Sequence, residues 1–105
     1  MVLRGNFLTK EVWLDGKELR PGKSQFIQRH SDGFDWGNGG GGSVQLALAV
    51  MLEFVDRSTA LKLYQKFQQE IIANLPQTDF ELAIDINKWM AEKIREKPKS
   101  SFWRW

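Results

Sequence analysis

The amino-acid sequence predicts a small α+β domain, and three observations support this fold class. An Asp-Gly dipeptide lies between two short strand-like runs near the N-terminus, which is typical of an antiparallel hairpin. A glycine-rich loop follows at residues 31–42, and three apolar patterns with helical spacing occupy most of the remainder. Because strands come first and helices later, we expect a small N-terminal sheet packed against three helices.

Composition narrows the class of protein further. The chain has 105 residues, 42% hydrophobic and 27% charged, as expected for one domain over residues 1–105 with a short tail at 99–105. It has no cysteine and one histidine, so we expect no disulfide, no metal and no cofactor. The net charge of +2 is too small to predict nucleic-acid binding. No apolar run reaches the roughly 20 residues of a membrane span, so we expect a cytoplasmic protein.

The hairpin is predicted at residues 11–20, where Asp15-Gly16 fits a type I′ turn because both central positions need positive φ. This turn fixes the cross-strand pairs as Leu14 with Lys17, Trp13 with Glu18, Val12 with Leu19 and Glu11 with Arg20. Trp13 then lies on the face opposite Val12 and Leu14, beside a charge pair of Glu11 and Arg20. A third short strand is expected within residues 24–30, through Phe26 and Ile27.

Three helices are predicted after the glycine-rich loop. The first, at residues 44–55 behind Ser43 as N-cap, is apolar on nearly every side, which indicates a buried central helix. The second starts at Asp56 or Ser58 and ends at residues 74–76, with its apolar positions at Leu61, Tyr64, Phe67, Ile71 and Leu75. The third lies within residues 79–97. It begins either at a capping box of Thr78 and Glu81 or near Ala83, after an extended segment.

The glycine-rich loop and the helix after it resemble a known family. The resemblance is carried by residues 30–37 (HSDGFDWG), by Gly39-Gly40 and by residues 45–49 (QLALA). They are similar to the pattern H-S-x-x-G-F-x-W-G-Y-G-G-S-G-P-A-Q-L-A-L-A in a family of small prokaryotic and bacteriophage proteins of unknown function. The chain departs from that pattern at Asn38, Gly41 and Ser43. The resemblance extends over residues 11–90 and implies the fold and a phage setting, but no mechanism.

The glycine-rich loop is the candidate ligand site. Glycines let the backbone approach an anion closely, and the first N–H groups of a helix carry partial positive charge. A nucleotide would be bound by this set: Arg29, His30, Phe34, Trp36, Gly39, Gly40, Gly41, Gly42 and Ser43. Arg29 would supply a counter-charge and Trp36 a stacking face. The alternative is that the glycines only allow a tight turn, with Phe34 and Trp36 in the core.

A hydrolytic role for His30, Ser31, Asp32 and Asp35 has little support. Neighbouring residues on one loop rarely point at one another, and the sequence has no G-x-S-x-G elbow. We expect Ser31 and Asp32 to hold the turn and His30 to be a hydrogen-bonded anchor. The protein is therefore not expected to be an enzyme.

The C-terminal tail allows three interpretations. Its aromatic residues, Phe102, Trp103 and Trp105, lie among lysines and arginines. They could contact an anionic membrane surface or nucleic acid, dock on a protein partner or a second copy, or fold back on the core. Fold-back or self-association is preferred because free tails with two tryptophans are poorly soluble.

These observations predict a non-catalytic, phage-type accessory protein that binds a small anionic ligand at the glycine-rich loop. The alternative is an interaction protein that inhibits or modulates a host complex, such as a defence complex, through the hairpin or the tail.

Overall fold

The computed structural model describes residues 1–95 and confirms the α+β class. Its strands are β1 (Val2–Gly5), β2 (Val12–Leu14), β3 (Lys17–Leu19) and β4 (Phe80–Ala83), and they form one antiparallel sheet in the order β3-β2-β1-β4. Its α-helices are α1 (Gly22–Ile27), α2 (Gly41–Phe54), α3 (Arg57–Phe67) and α4 (Ile86–Arg95), and a single π-helical turn, Gln68–Ile72, continues α3. The core lies between one face of the sheet and α2.

The hairpin has the predicted turn and register. Asp15 has a φ of 50° and Gly16 a φ of 83°, as a type I′ turn requires. Val12 pairs with Leu19, Trp13 with Glu18 and Leu14 with Lys17. The predicted charge pair of Glu11 and Arg20 is wrong. The Arg20 guanidinium instead lies 3.2 Å from the carboxylate of Glu18, two residues before it in the chain.

Strand β1 was not singled out by the sequence, although it lies at the centre of the sheet. It pairs with β2 on one side and with β4 on the other. Gly5 lies on its core-facing side, where an added Cβ would come 2.8 Å from the Trp36 ring. Glycine at this position therefore allows Trp36 to pack directly against the sheet.

The expected third strand is wrong, because residues 22–27 form helix α1. Phe26 and Ile27 are adjacent, so a strand would put one of them on each face. The helix instead leaves Phe26 91% exposed and turns the fully buried Ser24 towards α2. The Ser24 hydroxyl donates to the Pro21 carbonyl at 2.8 Å, which stabilises the first turn.

Helix α2 is the buried central helix that its composition predicted. Every residue from 45 to 52 is buried, and α2 contacts α1, α3 and the π-helical turn. The buried face of α3 is formed by Ala60, Leu63, Tyr64 and Phe67. Leu61 was expected on that face, but it is 38% exposed, whereas the preceding residue, Ala60, is fully buried.

The extended segment predicted before the last helix is confirmed, but the helix begins three residues later than Ala83, where it was expected. Residues 80–83 are extended as β4, and α4 begins at Ile86. The backbone N–H of Lys88 donates to the Asp85 carboxylate at 3.0 Å, so Asp85 caps the helix. Thr78 does not cap it, because its hydroxyl donates to the Asp79 carbonyl.

Candidate functional site

The glycine-rich loop is held by the side chain of Asn38. Its amide nitrogen donates to the Asp35 carboxylate at 3.0 Å and to the Trp36 carbonyl at 3.3 Å. Its amide oxygen accepts the Gly40 N–H at 2.8 Å and the Ser43 hydroxyl at 3.1 Å. Ser43 is thus inside α2 and fully buried, which corrects its expected role as N-cap, since Gly40 occupies that position. The side chain of Asn38 therefore links residues on both sides of it in the loop.

Three glycines of the loop are required by close packing, and the first is Gly41, where an added Cβ would lie 2.5 Å from a backbone carbonyl oxygen. At Gly42 an added Cβ would lie 2.7 Å from Cβ of Asp35, and at Gly37, which has a φ of 76°, it would lie 2.7 Å from the Leu75 carbonyl oxygen. Gly39 differs, because it is exposed and no atom would meet an added Cβ within 4 Å. An added Cβ at Gly33 would also meet nothing within 4 Å, so the loop combines glycines that close packing requires with glycines that it does not.

The aromatic residues of the loop lie in the core. Trp36 is fully buried and Phe34 is 6% exposed. The indole nitrogen of Trp36 donates to the Thr78 carbonyl at 2.9 Å, and its ring meets Phe80 edge to face, with centroids 5.0 Å apart. The ring of Trp36 consequently has no exposed face on which a nucleotide base could stack.

A buried amide anchors the start of the loop to α2. Gln45 is fully buried, and its oxygen accepts the N–H groups of His30 at 2.6 Å and Ser31 at 3.1 Å. Its nitrogen donates to the Ser24 hydroxyl at 2.8 Å, which ties α1 to the same point. Four polar groups satisfy one another here, so Gln45 is a structural clamp.

The structure does not assemble a hydrolytic set from the loop residues. His30 is within 3.0 Å of the Tyr64 hydroxyl through Nε2. Asp32 instead accepts a hydrogen bond from Arg29 at 2.7 Å, and the Ser31 hydroxyl oxygen accepts the Gly33 N–H at 3.4 Å. His30 is thus a hydrogen-bonded anchor, and the charge of Arg29 is already paired with a carboxylate.

Asp35 contributes a carboxylate to the hydrogen-bond network of the loop. Partial burial by itself would raise the pKa of Asp35, but hydrogen bonds from the Asn38 amide, the Trp36 backbone N–H and the Lys10 ammonium outweigh it and lower the pKa. The Lys10 ammonium lies 3.0 Å from this carboxylate and 3.2 Å from the centroid of the Phe7 ring. A carboxylate is therefore already present beside the proposed anion site.

The outer face of the sheet is the region that sequence reasoning passed over. The cross-strand registers align one row of outward side chains over all four strands, Glu18, Trp13, Arg4 and Glu81. The Arg4 guanidinium carbon lies 5.3 Å from the centroid of the Trp13 ring. The sequence did indicate that Trp13 lies on the face opposite Val12. It did not indicate the neighbour Arg4, because Arg4 belongs to β1, which was not predicted.

A shallow concavity of about 570 Å³ opens beside this row. It is lined by Arg4, Gly5, Asn6, Trp13, Asp79, Phe80 and Glu81. Two carboxylates and one guanidinium give its lining a net negative charge. The concavity therefore suits a basic or neutral group better than a phosphate.

Membrane-spanning helices and metal-binding clusters were sought among the described residues. Among residues 1–95, no helix combines the length and the hydropathy needed to cross a bilayer. In the same part of the chain, no three His, Asp or Glu side chains converge on a point where a metal ion could bind. The tail residues proposed for partner binding, Phe102, Trp103 and Trp105, lie outside the described residues.

Comparison with known proteins gives a family without an activity. No curated protein and no solved structure matches the chain. The sequence model of one family covers residues 3–92, from β1 into α4, and so includes the sheet, the glycine-rich loop and α2. The chain therefore belongs to the family of unknown function DUF6166.

Proposed function

We propose that the protein is a non-catalytic interaction protein that binds a protein partner through the outer face of its sheet. The observation that carries this proposal is the stacked pair of Trp13 and Arg4 beside the concavity. Tryptophan and arginine are the side chains that most often dominate binding energy at protein interfaces. Here they stack on each other, with Arg4 exposed and Trp13 half-buried.

The charges of the concavity favour a protein over a nucleic acid. Asp79 and Glu81 line the concavity together with Arg4, so a phosphate backbone would meet two carboxylates for one guanidinium. A partner that places a lysine or arginine between these carboxylates, with an apolar side chain against Trp13, would match both features. In the phage setting that the family resemblance implies, such a partner would be a host protein met in the cytoplasm.

Binding of a small anion at the glycine-rich loop has weaker support. Asn38 already occupies the N-terminal end of α2, Asp35 adds a negative charge there, and Trp36 is enclosed. Gly39, Gly40 and Gly41 are exposed, so an anion could still approach this part of the loop. Amide chemical shifts of these residues during titration with phosphate and with nucleotides test this alternative, and we expect no saturable change.

The proposed function is tested by affinity purification from host lysate with matched variants. Trp13→Thr keeps the strand propensity of β2 but removes the ring, and Arg4→Ala removes the guanidinium. Lys62→Ala, on the exposed side of α3, is the control. We expect at least one protein that is retained by the wild type and by the control and lost by both outer-face variants, and that binds the purified wild type directly. Equal retention by all four proteins contradicts the proposal.

A further inference from the structure

Strand β4 is an edge strand whose outward backbone groups can be identified from its register. Within residues 1–95 it pairs only with β1. Met1 and Ile84 exchange two hydrogen bonds, of 2.8 and 3.0 Å. Since hydrogen-bonded and non-hydrogen-bonded pairs alternate along an antiparallel ladder, Leu82 also bonds to β1, while the N–H and C=O groups of Glu81 and Ala83 point away from it.

The two edges of the sheet differ in how well they are guarded. Strand β3 has three residues, and by the same alternation only Glu18 points its backbone groups outward. Strand β4 pairs through four consecutive residues without a bulge, and it contains neither lysine nor proline. Charged side chains, proline and bulges are the usual devices that prevent edge-to-edge pairing. Strand β4 has one of them, the charge of Glu81.

That single charge selects one register for pairing of β4 with itself. If Glu81 faced its own copy, two carboxylates would oppose each other, which destabilises a sheet. If Ala83 faced its own copy, Glu81 would oppose Asp85. With Leu82 on a two-fold axis, Glu81 opposes Ala83 of the other copy, and the outward groups of these two residues meet as hydrogen-bonded pairs.

The geometry points to a second copy of this chain as the occupant of the β4 edge, in a symmetric dimer with Leu82 on the axis. Four new backbone hydrogen bonds would join the two four-stranded sheets into one of eight strands. The flanking acids Asp79 and Asp85 are each engaged within their own chain, by the N–H groups of Phe7 and Lys88. A two-fold axis perpendicular to the sheet keeps both outer faces on the same side, so the dimer would present two Trp13 rings to a partner.

The first test uses the absence of cysteine from the chain. In the proposed register the two Leu82 residues form a non-hydrogen-bonded pair, with Cα atoms about 4.5 Å apart, within the range that a disulfide spans. The Leu82→Cys variant should therefore cross-link to a dimer of twice 12.2 kDa under mild oxidation. The Lys62→Cys variant, exposed on α3, should stay largely monomeric. Equal cross-linking of the two variants would overturn the proposed register.

The second test needs no cysteine and guards against misfolding of Leu82→Cys. Wild type should sediment as a dimer at micromolar to submillimolar concentration. Ala83→Asp sets two new carboxylates against Glu81 of the partner copy and should raise the dimer dissociation constant about tenfold. Ala83→Lys should lower it by a similar factor. A monomeric wild type, or the same dissociation constant for both variants with unchanged circular-dichroism melts, overturns the inference.

Discussion

The glycine-rich loop and the outer face of the sheet contrast in what their sequences suggest and what their structures provide. The loop has the most distinctive sequence in the chain, yet its polar groups bond to one another and its aromatics are buried. The outer face comes from ordinary strand residues, yet it leaves Trp13 and Arg4 accessible. The distinctive sequence of the loop is therefore explained by backbone packing. The exposure of the outer face depends on the tertiary fold, which the sequence of its strands does not reveal.

The largest expected effect separates the two tryptophans. Trp36→Ala should lower the free energy of unfolding by about 3–5 kcal/mol, since it empties a fully buried site. Trp13→Ala, on the outer face, should cost about 1 kcal/mol or less, because it loses mainly the stacking of Arg4. Urea denaturation of both variants measures the difference. Equal losses would mean that the outer face is part of the core.

The next effect concerns the clamp at the start of the loop. Gln45→Leu should leave the partly buried N–H groups of His30 and Ser31 without their acceptor, at a cost of about 1–3 kcal/mol in total. Gln69→Leu, on the exposed side of the π-helical turn, is the control and should change stability little. Thermal melts and amide exchange at His30 and Ser31 report the outcome. Wild-type protection in Gln45→Leu would show that the clamp is dispensable.

A smaller effect should divide the glycines of the loop. Gly42→Ala should cost about 1–3 kcal/mol, because its methyl group would overlap Cβ of Asp35. Gly39→Ala should be neutral or stabilise the fold by about 0.4–1 kcal/mol, since space is open and the unfolded chain loses freedom. The melting temperature of Gly42→Ala should fall below that of wild type, whereas that of Gly39→Ala should be unchanged or higher. If both variants melted below wild type by the same amount, close packing at Gly42 would not explain its glycine.

The smallest effect is a pH dependence. Because the pKa of Asp35 is lowered in the folded state, its carboxylate stabilises the fold above the unfolded pKa near 3.8, and this contribution is lost as pH falls through the folded pKa. Its side chain is 36% exposed, so the contribution should stay below about 1 kcal/mol. Asp35→Asn should therefore melt below wild type at pH 7, and the gap should narrow as pH falls below 3.8. A constant gap between the two proteins would assign the effect to shape rather than charge.

Sequence reasoning succeeded where a local rule sets the structure. The type I′ turn at Asp15-Gly16 determined the hairpin register, and continuous apolar character determined the burial of α2. Sequence reasoning failed where an element pairs with a segment far along the chain. Strand β1 has four residues and no turn signal of its own, and its central place depends on β4, far along the chain.

The candidate site was predicted less well than the fold. A glycine that makes room for a ligand and a glycine that makes room for a neighbouring segment look the same in the sequence. Only the structure, which puts Asp35 against Gly42, shows that Gly42 is of the second kind. The expected stacking face of Trp36 failed for a related reason, since an aromatic residue in a loop can pack inward. The pairing of Trp13 with Arg4 required the register of β1, which the sequence did not reveal.

The pairing of the first strand with the last has a consequence for synthesis of the protein. Met1 and Ile84 are 83 positions apart, whereas the β2–β3 hairpin closes over two residues. On a ribosome adding roughly 5–20 residues per second, β1 and the hairpin would wait several seconds for β4. During that interval the edge of β1 that later pairs with β4 has no neighbour, and α2 emerges before its sheet is complete. The nascent chain should therefore be most vulnerable to aggregation, and most dependent on chaperones, just before β4 appears.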